Sequence, residues 1–332
     1  VIVIGASAGG LEPTRRILSD LPPDLSAAVF VVMHLGATSY LADILKRITA
    51  LPVRSAYSGA AIDFGTVHVA VPGLHLLVHD GHLLLRRGPR ENLARPAVDP
   101  LFRSAAATFG ARVIGVILSG ALNDGSAGLR AIKQCGGLAV VQHPADAACP
   151  DMPVNAMRHV EVDHVVPAAD IGPLLTRLAR EPAGPTPPIP FRIRLEAEIA
   201  AQELSGMAVD DQLGTPSRFT CPECHGAIWE IDDGSLLRYR CHVGHAFTAE
   251  TMLAAQATQA EELLWSLMRA HQERSALARR LAEREQARSR PELARMYMAR
   301  VRGYDEDAEV LRDLLRASAT VEEESGAEAG GL

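Results

Sequence analysis

Short, unbroken apolar runs alternate with helical stretches through the first 180 residues. Residues 1–4, 27–33, 113–118 and 138–141 read as buried strands. Residues 67–71, 75–78 and 83–86 read as shorter ones, punctuated by Gly73 and Gly81. Between them, residues 9–21, 39–49, 100–109, 125–135 and 168–180 carry helical periodicity. Apolar strands separated by helices predict an α/β fold with a doubly wound, mainly parallel sheet covered on both faces. The apolar runs fall far short of the ~20 residues a membrane helix needs, so no membrane insertion is expected. No basic segment precedes Val1-Ile2-Val3-Ile4, so a cytoplasmic protein is expected, its start trimmed inside a strand. Apolar residues at 48% exclude a disordered chain, and 33 basic against 40 acidic residues, net −7, argue against a nucleic-acid partner.

The remainder divides differently. Residues 181–190 hold five prolines in ten positions and read as an extended, semi-rigid linker between a 1–180 domain and a second, C-terminal region. Residues 191–204 read as a strand and then a short amphipathic piece, inside a 191–247 module that carries a cysteine cluster. Residues 248–317, rich in Ala, Leu, Glu and Arg, predict an antiparallel hairpin of two long helices turning around Arg288 to Pro291. Leu264, Trp265, Met268, Leu277, Leu281, Tyr297, Val301, Tyr304, Leu311 and Leu315 are candidates for their seam. The acidic, Gly/Ala-rich residues 318–332 are expected to form a disordered tail.

Three residues sit at the ends of predicted strands. Gly5-Ala6-Ser7-Ala8-Gly9-Gly10 is a sharp turn that would expose the Ser7 hydroxyl beside helix N-terminal amides. Taken alone, such a turn serves equally to cradle a phosphate or simply to turn. His34 ends the second apolar strand, where a surface histidine would also fit. Asp124 comes after the strand 113–118, where it would equally cap the next helix. Together they place Ser, His and Asp on the carboxyl edge of a parallel sheet, where such sheets build sites. The order Ser7…His34…Asp124 differs from that of α/β-hydrolases, and the turn lacks both the P-loop lysine and the full dinucleotide-binding spacing.

These residues belong to longer stretches: Ile4-Gly5-Ala6-Ser7-Ala8-Gly9-Gly10, Arg95-Pro96-Ala97-Val98-Asp99-Pro100-Leu101-Phe102-Arg103-Ser104, Met152-Pro153-Val154-Asn155-Ala156, and residues 31–34, 69–75 and 115–128. In that order they resemble the catalytic domain of the chemotaxis receptor methylesterases, the CheB family, over nearly all of residues 1–178. The resemblance implies a serine-hydrolase triad, with Ser7 as nucleophile, His34 as base and acid, and Asp124 orienting His34. The amides of Ala8 and Ala121 would hold the oxyanion. It implies hydrolysis of glutamate γ-methyl esters on the cytoplasmic helices of chemoreceptors, with glutamine deamidation as a related activity and no cofactor for catalysis. The chain departs from the family pattern at His34-Leu35-Gly36, where Pro is usual in the third position. It departs again at Ala121-Leu122, where Met and Gly are usual. It shows no phosphoacceptor domain ahead of Val1, which fits either a trimmed chain or a relative with another regulatory partner. The competing reading is a non-catalytic or altered-substrate scaffold that binds a partner through its C-terminal region. His75 and His143 are expected as pocket lining or surface.

Cys221-Pro222-Glu223-Cys224 and Cys241-His242-Val243-Gly244-His245 form C-x₂-C-x₁₆-C-x₃-H. Two ligand pairs across a hairpin predict a closed, structural zinc site made by Cys221, Cys224, Cys241 and His245. His242 is the competing nitrogen ligand, and three reduced cysteines that merely pack is the plainer alternative. Zinc depletion is expected to unfold this module alone.

Overall fold

The computed structural model describes residues 1–34, 36, 38–201 and 212–329, with side chains as far as Ala317. Seven parallel strands form the central sheet: β1 (Ile2–Ala6), β2 (Val29–Met33), β3 (Val53–Ser55), β4 (Val67–Val69), β7 (Ile114–Ile117), β8 (Leu138–Gln142) and β9 (His164–Val166). Their order is β3-β4-β2-β1-β7-β8-β9. The chain first builds outward from β1 on one side and then returns to build on the other. β1 therefore lies at the topological switch point, paired with β2 (Ile4 beside Val31) and with β7 (Ile4 beside Val116).

Alternation along the strands explains why both faces are covered. Val3, Phe30 and Val32 point into one core with Leu101, Phe102 and Leu129. Ile2, Ile4, Val29 and Val31 point into the other with Ile17, Leu18, Ile171 and Leu175. The first core is closed by α3 (Val98–Phe109), α4 (Ser126–Gln134) and α5 (Asp151–His159), the second by α1 (Leu11–Asp20) and α6 (Ala168–Leu178). Gly5 is glycine for space, since a Cβ there would stand 2.3 Å from Val98 Cγ1. The antiparallel hairpin β5 (His75–His79) and β6 (His82–Arg86) packs on α3, and the short α2 (Leu41–Lys46) comes after β2.

Two expectations for the next region need correction. The proline segment 181–190 is without regular structure but is not a free spacer: Thr186 Oγ1 accepts the Ala111 N–H at 3.2 Å, and Pro187 lies against Gly136. Residues expected as a strand form helix α7 (Phe191–Ala200). Their strict alternation of apolar and charged positions looks like a strand, yet the helix is buried on two sides. Ile193 joins the sheet domain's core, Leu195 packs with Leu213 and Ile231, and Glu196 is enclosed with Arg103 and Arg238. Leu204, the end of the predicted piece, lies outside the described residues.

The cysteine-bearing region is an antiparallel sheet, the ribbon, of β10 (Thr215–Thr220), β11 (Ala227–Asp233), β12 (Leu236–Cys241) and β13 (Ala246–Thr248). Chain contacts divide the molecule at 253/254, into Val1–Leu253 and Ala254–Leu332, and not at the proline segment or at residue 248. The reason is visible at the ribbon's base, where Arg238 and Arg240 reach Glu196 and Glu91 in buried ion pairs.

The second unit is carried by two long helices, Ala249–Ala287 and Pro291–Ala329, broken where expected. Within it Met268, Ala308, Leu311 and Leu315 are buried together with Leu264 alongside, and Val301 is buried too. Trp265 and Leu277, predicted for the seam, are more than half exposed. Small residues (Ala278, Ala282, Ala294, Ala308) are buried as well, at positions that a pattern of large side chains does not mark. Helix also continues to Ala329 where a disordered tail is expected, because Ala and Glu, which make the segment look featureless, are strong helix formers. Among the described residues no helix is long and apolar enough to cross a membrane.

Candidate active site

β2, β1 and β7 are adjacent, and each delivers one predicted residue from its carboxyl end. Ser7 comes directly after β1, His34 directly after β2, and Asp124 sits in the loop after β7. The structure brings all three together. Ser7 Oγ is 3.0 Å from His34 Nδ1, and His34 Nε2 is 2.7 Å from Asp124 Oδ2. An ionised carboxylate only accepts, so Nε2 carries the ring proton and Nδ1 is left to accept from the Ser7 hydroxyl. Ser7 and His34 are half-buried and open onto a cleft of about 360 Å³, whose wall includes Arg90, Asn92, Arg95, Ala121 and Leu122.

Close packing fixes the nucleophile's loop. Ser7 N–H donates to Ser119 O, and a Cβ on Gly120 would come within 2.8 Å of Ser7 Cβ. Ala121 lines the cleft, and Ala8 is exposed at the turn after Ser7. Among the described residues no acceptor takes the amide hydrogen of either. Leu122, where the family pattern has Gly, adopts φ 61°. The Asp151 carboxylate accepting its N–H and the Asn155 amide donating to its carbonyl hold this strained backbone.

Asp124 is buried and heavily solicited. Besides His34, its carboxylate accepts from Val98 N–H (2.7 Å), Asn92 Nδ2 (3.0 Å) and Asp99 N–H (3.3 Å). Burial pushes its pKa up, but the hydrogen bond and charge of His34, with Val98 N–H and Asn92, outweigh burial and hold it below the usual carboxylate range. Its neighbour Asp99 goes the other way. Burial first, and the Asp124 charge second, push Asp99 up to about 7.

Asn92 and Asp99 are partners that sequence reasoning missed. Asp99 stands inside the 95–104 stretch, where an acidic residue set between apolar ones was the available signal. His75 is neither pocket lining nor surface: it is buried, with Nε2 donating to Pro89 O (2.8 Å) and Nδ1 accepting from Ala97 N–H. His143 is exposed.

The ribbon gathers a second constellation. Cys221, Cys224, Cys241 and His245 bring one ligand atom each to within 4.8 Å of one another, a group that could hold a metal ion. Cys224 and Cys241 sulfurs are 3.7 Å apart, and His245 Nδ1 is 3.7 and 3.5 Å from the sulfurs of Cys221 and Cys241. Tetrahedral bonds of about 2.3 Å set ligand separations near ~3.8 Å, so the donor set fits such an ion. Glu223 Oε2, 3.4 Å from His245 Nε2, turns the ring so that Nδ1 faces the cysteines. His242 is exposed and stands outside the cluster.

A serine, a histidine and a buried aspartate joined at the carboxyl edge of a parallel sheet are the arrangement of a serine hydrolase. Comparison with known proteins narrows that class. The CheB methylesterase family profile matches residues 2–175, more than half of the chain. A Leptospira interrogans protein, named a candidate protein-glutamate methylesterase/protein-glutamine glutaminase, is 39% identical over 180 residues, 53% of this chain and 93% of its own. Protein-glutamate methylesterase/protein-glutamine glutaminase 2 of Anaeromyxobacter dehalogenans is 40% identical over 182 residues, 54% of this chain and 53% of its own. The crystal structure of the Thermotoga maritima CheB methylesterase catalytic domain is 29% identical, covers 53% of this chain and 97% of that one, and has a TM-score of 0.49. The chain belongs to the CheB methylesterase family.

Proposed function

We propose that the chain is a protein-glutamate methylesterase that hydrolyses glutamate γ-methyl esters, and the corresponding glutamine amides, on the cytoplasmic helices of chemoreceptors. The observation that carries this reading is the hydrogen-bonded run Ser7–His34–Asp124 at the switch point of a sheet of this family. Ser7 Oγ attacks the ester carbonyl while its proton passes to His34 Nδ1. Asp124 accepts from Nε2–H and stabilises the imidazolium. The amides of Ala8 and Ala121 hold the oxyanion. Collapse of the tetrahedral adduct expels methanol, which takes the proton back from His34. Water then attacks the Ser7 acyl group and gives its proton to His34; the bond to Ser7 Oγ breaks, Oγ takes that proton back, and the glutamate is released. An amide substrate takes the same course with ammonia as the leaving group. In the ribbon, Cys221, Cys224, Cys241 and His245 hold zinc, which would cross-link the fold and take no part in the reaction. A substrate on the cytoplasmic part of a receptor requires the chain to work in the cytoplasm.

The test is labelling of Ser7 by a serine-directed phosphonate, together with methanol release from methylated receptor membranes. Wild type does both. Ser7→Ala keeps its circular dichroism and loses at least ~10³-fold in methanol release. Undiminished release by Ser7→Ala would remove Ser7 from the mechanism, and labelling without methanol release would point to a different ester.

A further inference from the structure

The wall of the cleft is held from outside the parallel sheet. Asn92 N–H donates to Ala246 O at 2.8 Å, and Ala246 N–H donates to Arg90 O at 3.3 Å, so that segment 90–92 is zipped to strand β13. Two residues further along the ribbon, Thr248 N–H donates to Asn92 Oδ1 at 3.2 Å. That bond decides which way the Asn92 amide faces, and so presents Nδ2 to Asp124 Oδ1 and Asp99 Oδ2. On the other side of Asp124, Asn123 is fully buried. Its Oδ1 stands 2.7 Å from the hydroxyls of both Thr248 and Thr251, and its Nδ2 donates to Glu250 Oε2 at 2.8 Å. Thus the residue that bonds Asp124 and the residue that precedes it are both anchored by residues 246–251. The family match ends at residue 175, so these anchors belong to the part of the chain outside it.

We infer that the ribbon's exit segment, residues 246–251, is a positioning clamp on Asp124, acting through Asn92 and Asn123, so that reaction at Ser7 requires a docked ribbon. This rests on Ser7, His34 and Asp124 being the catalytic triad. Asp124 must keep its carboxylate on His34 Nε2 while the ring cycles between neutral and charged. An aspartate whose loop is free to rotate loses that alignment and, with it, the transition state and not substrate affinity. Val98 N–H and Asp99 N–H hold the carboxylate from inside the sheet domain, but neither restrains Asn123.

The experiment compares the unsubstituted chain with Thr248→Val/Thr251→Val, which keeps shape and removes both hydroxyls, and with Thr248→Ser/Thr251→Ser, which restores them. Two readouts are taken: amide hydrogen exchange of residues 119–125, and the phosphonate labelling of Ser7 split into inactivation rate and apparent affinity. The valine pair is expected to exchange about tenfold faster and to inactivate about tenfold more slowly, because a buried acceptor is left unsatisfied. Apparent affinity should stay within about twofold, and the serine pair should recover both rates. Unchanged exchange and labelling in the valine pair overturns the clamp. So does a serine pair as impaired as the valine pair, since shape and not the hydroxyl would then matter. If Ser7 fails to label in the wild type while exchange still responds to the valine pair, the clamp on the loop stands and the triad assignment falls.

Discussion

Asp99 and Asp124 share one buried amide, that of Asn92, yet their carboxyls titrate apart. Two like charges this close in a buried site do not both ionise freely. His34 gives the negative charge to Asp124, and Asp99 is left holding its proton up to about 7. The consequence for stability has a definite sign. Asp99 binds its proton more tightly folded than unfolded, where its pKa is near ~3.9, so folding stability from this group is present below that value and is lost as pH rises to about 7. Asp99→Asn cannot ionise. Measured by urea unfolding, its stability relative to wild type should climb between about pH 4 and 7, by up to roughly 4 kcal/mol, above any constant offset. A difference that is flat across that range would show that Asp99 is ionised throughout. The triad candidates were legible because each follows an apolar strand, directly for Ser7 and His34 and by a short loop for Asp124, and strand ends are visible in one dimension. Asn92 and Asp99 were not, since what makes them matter is contact with Asp124 across 32 and 25 positions.

Helix α7 shows where local pattern misleads. Its alternating Arg192, Arg194, Glu196 and Glu198 would face water from a strand, but Glu196 is buried against Arg238 at 2.9 Å with Arg103 nearby. Glu91 likewise sits between Arg103 and Arg240. The ribbon therefore supplies two of the three arginines that neutralise these carboxylates, and it is not the separable module its cysteine spacing implies. Removing metal should release more than the ribbon. If Cys221, Cys224, Cys241 and His245 hold zinc as proposed, chelating it is expected to cost residues 215–248 their exchange protection. Helices α3 and α7 should be destabilised as well, by about 3 kcal/mol, because buried carboxylates lose partners. Hydrogen exchange of the α3 peptides, with and without chelator, reads this directly. Unchanged protection in α3 alongside a melted ribbon would mean the ion pairs contribute no coupling.

At the scale of the molecule, the parallel sheet was legible from apolar runs flanked by helices, because both faces are buried and such strands leave a continuous signal. The three-residue edge strands β3 and β9 and the boundary at 253/254 were not: the edges are too short to show a pattern, and the boundary arises from buried pairs made by distant residues. That boundary has a functional consequence. Every group placed at the cleft, from Ser7 to Thr251, belongs to Val1–Leu253, and the long helices beyond contribute their own core of Met268, Ala308, Leu311 and Leu315. A chain ending after Gln259 retains the threonines that hold Asn123 and the arginines that hold Glu91 and Glu196. Its phosphonate labelling rate at Ser7 should stay within about twofold of that of the 332-residue chain, because it keeps every group placed at the cleft. A chain ending after Arg180 keeps Ser7, His34 and Asp124 but loses both anchors of the aspartate loop, and it exposes Arg103 and Glu91 on α3 and its approach. It should label far more slowly, or fail to fold, with the two cases separated by exchange protection in β1 and β7. Equal labelling by the longer and shorter truncations, both folded, would confine the chemistry to the sheet domain and leave the ribbon a purely mechanical attachment.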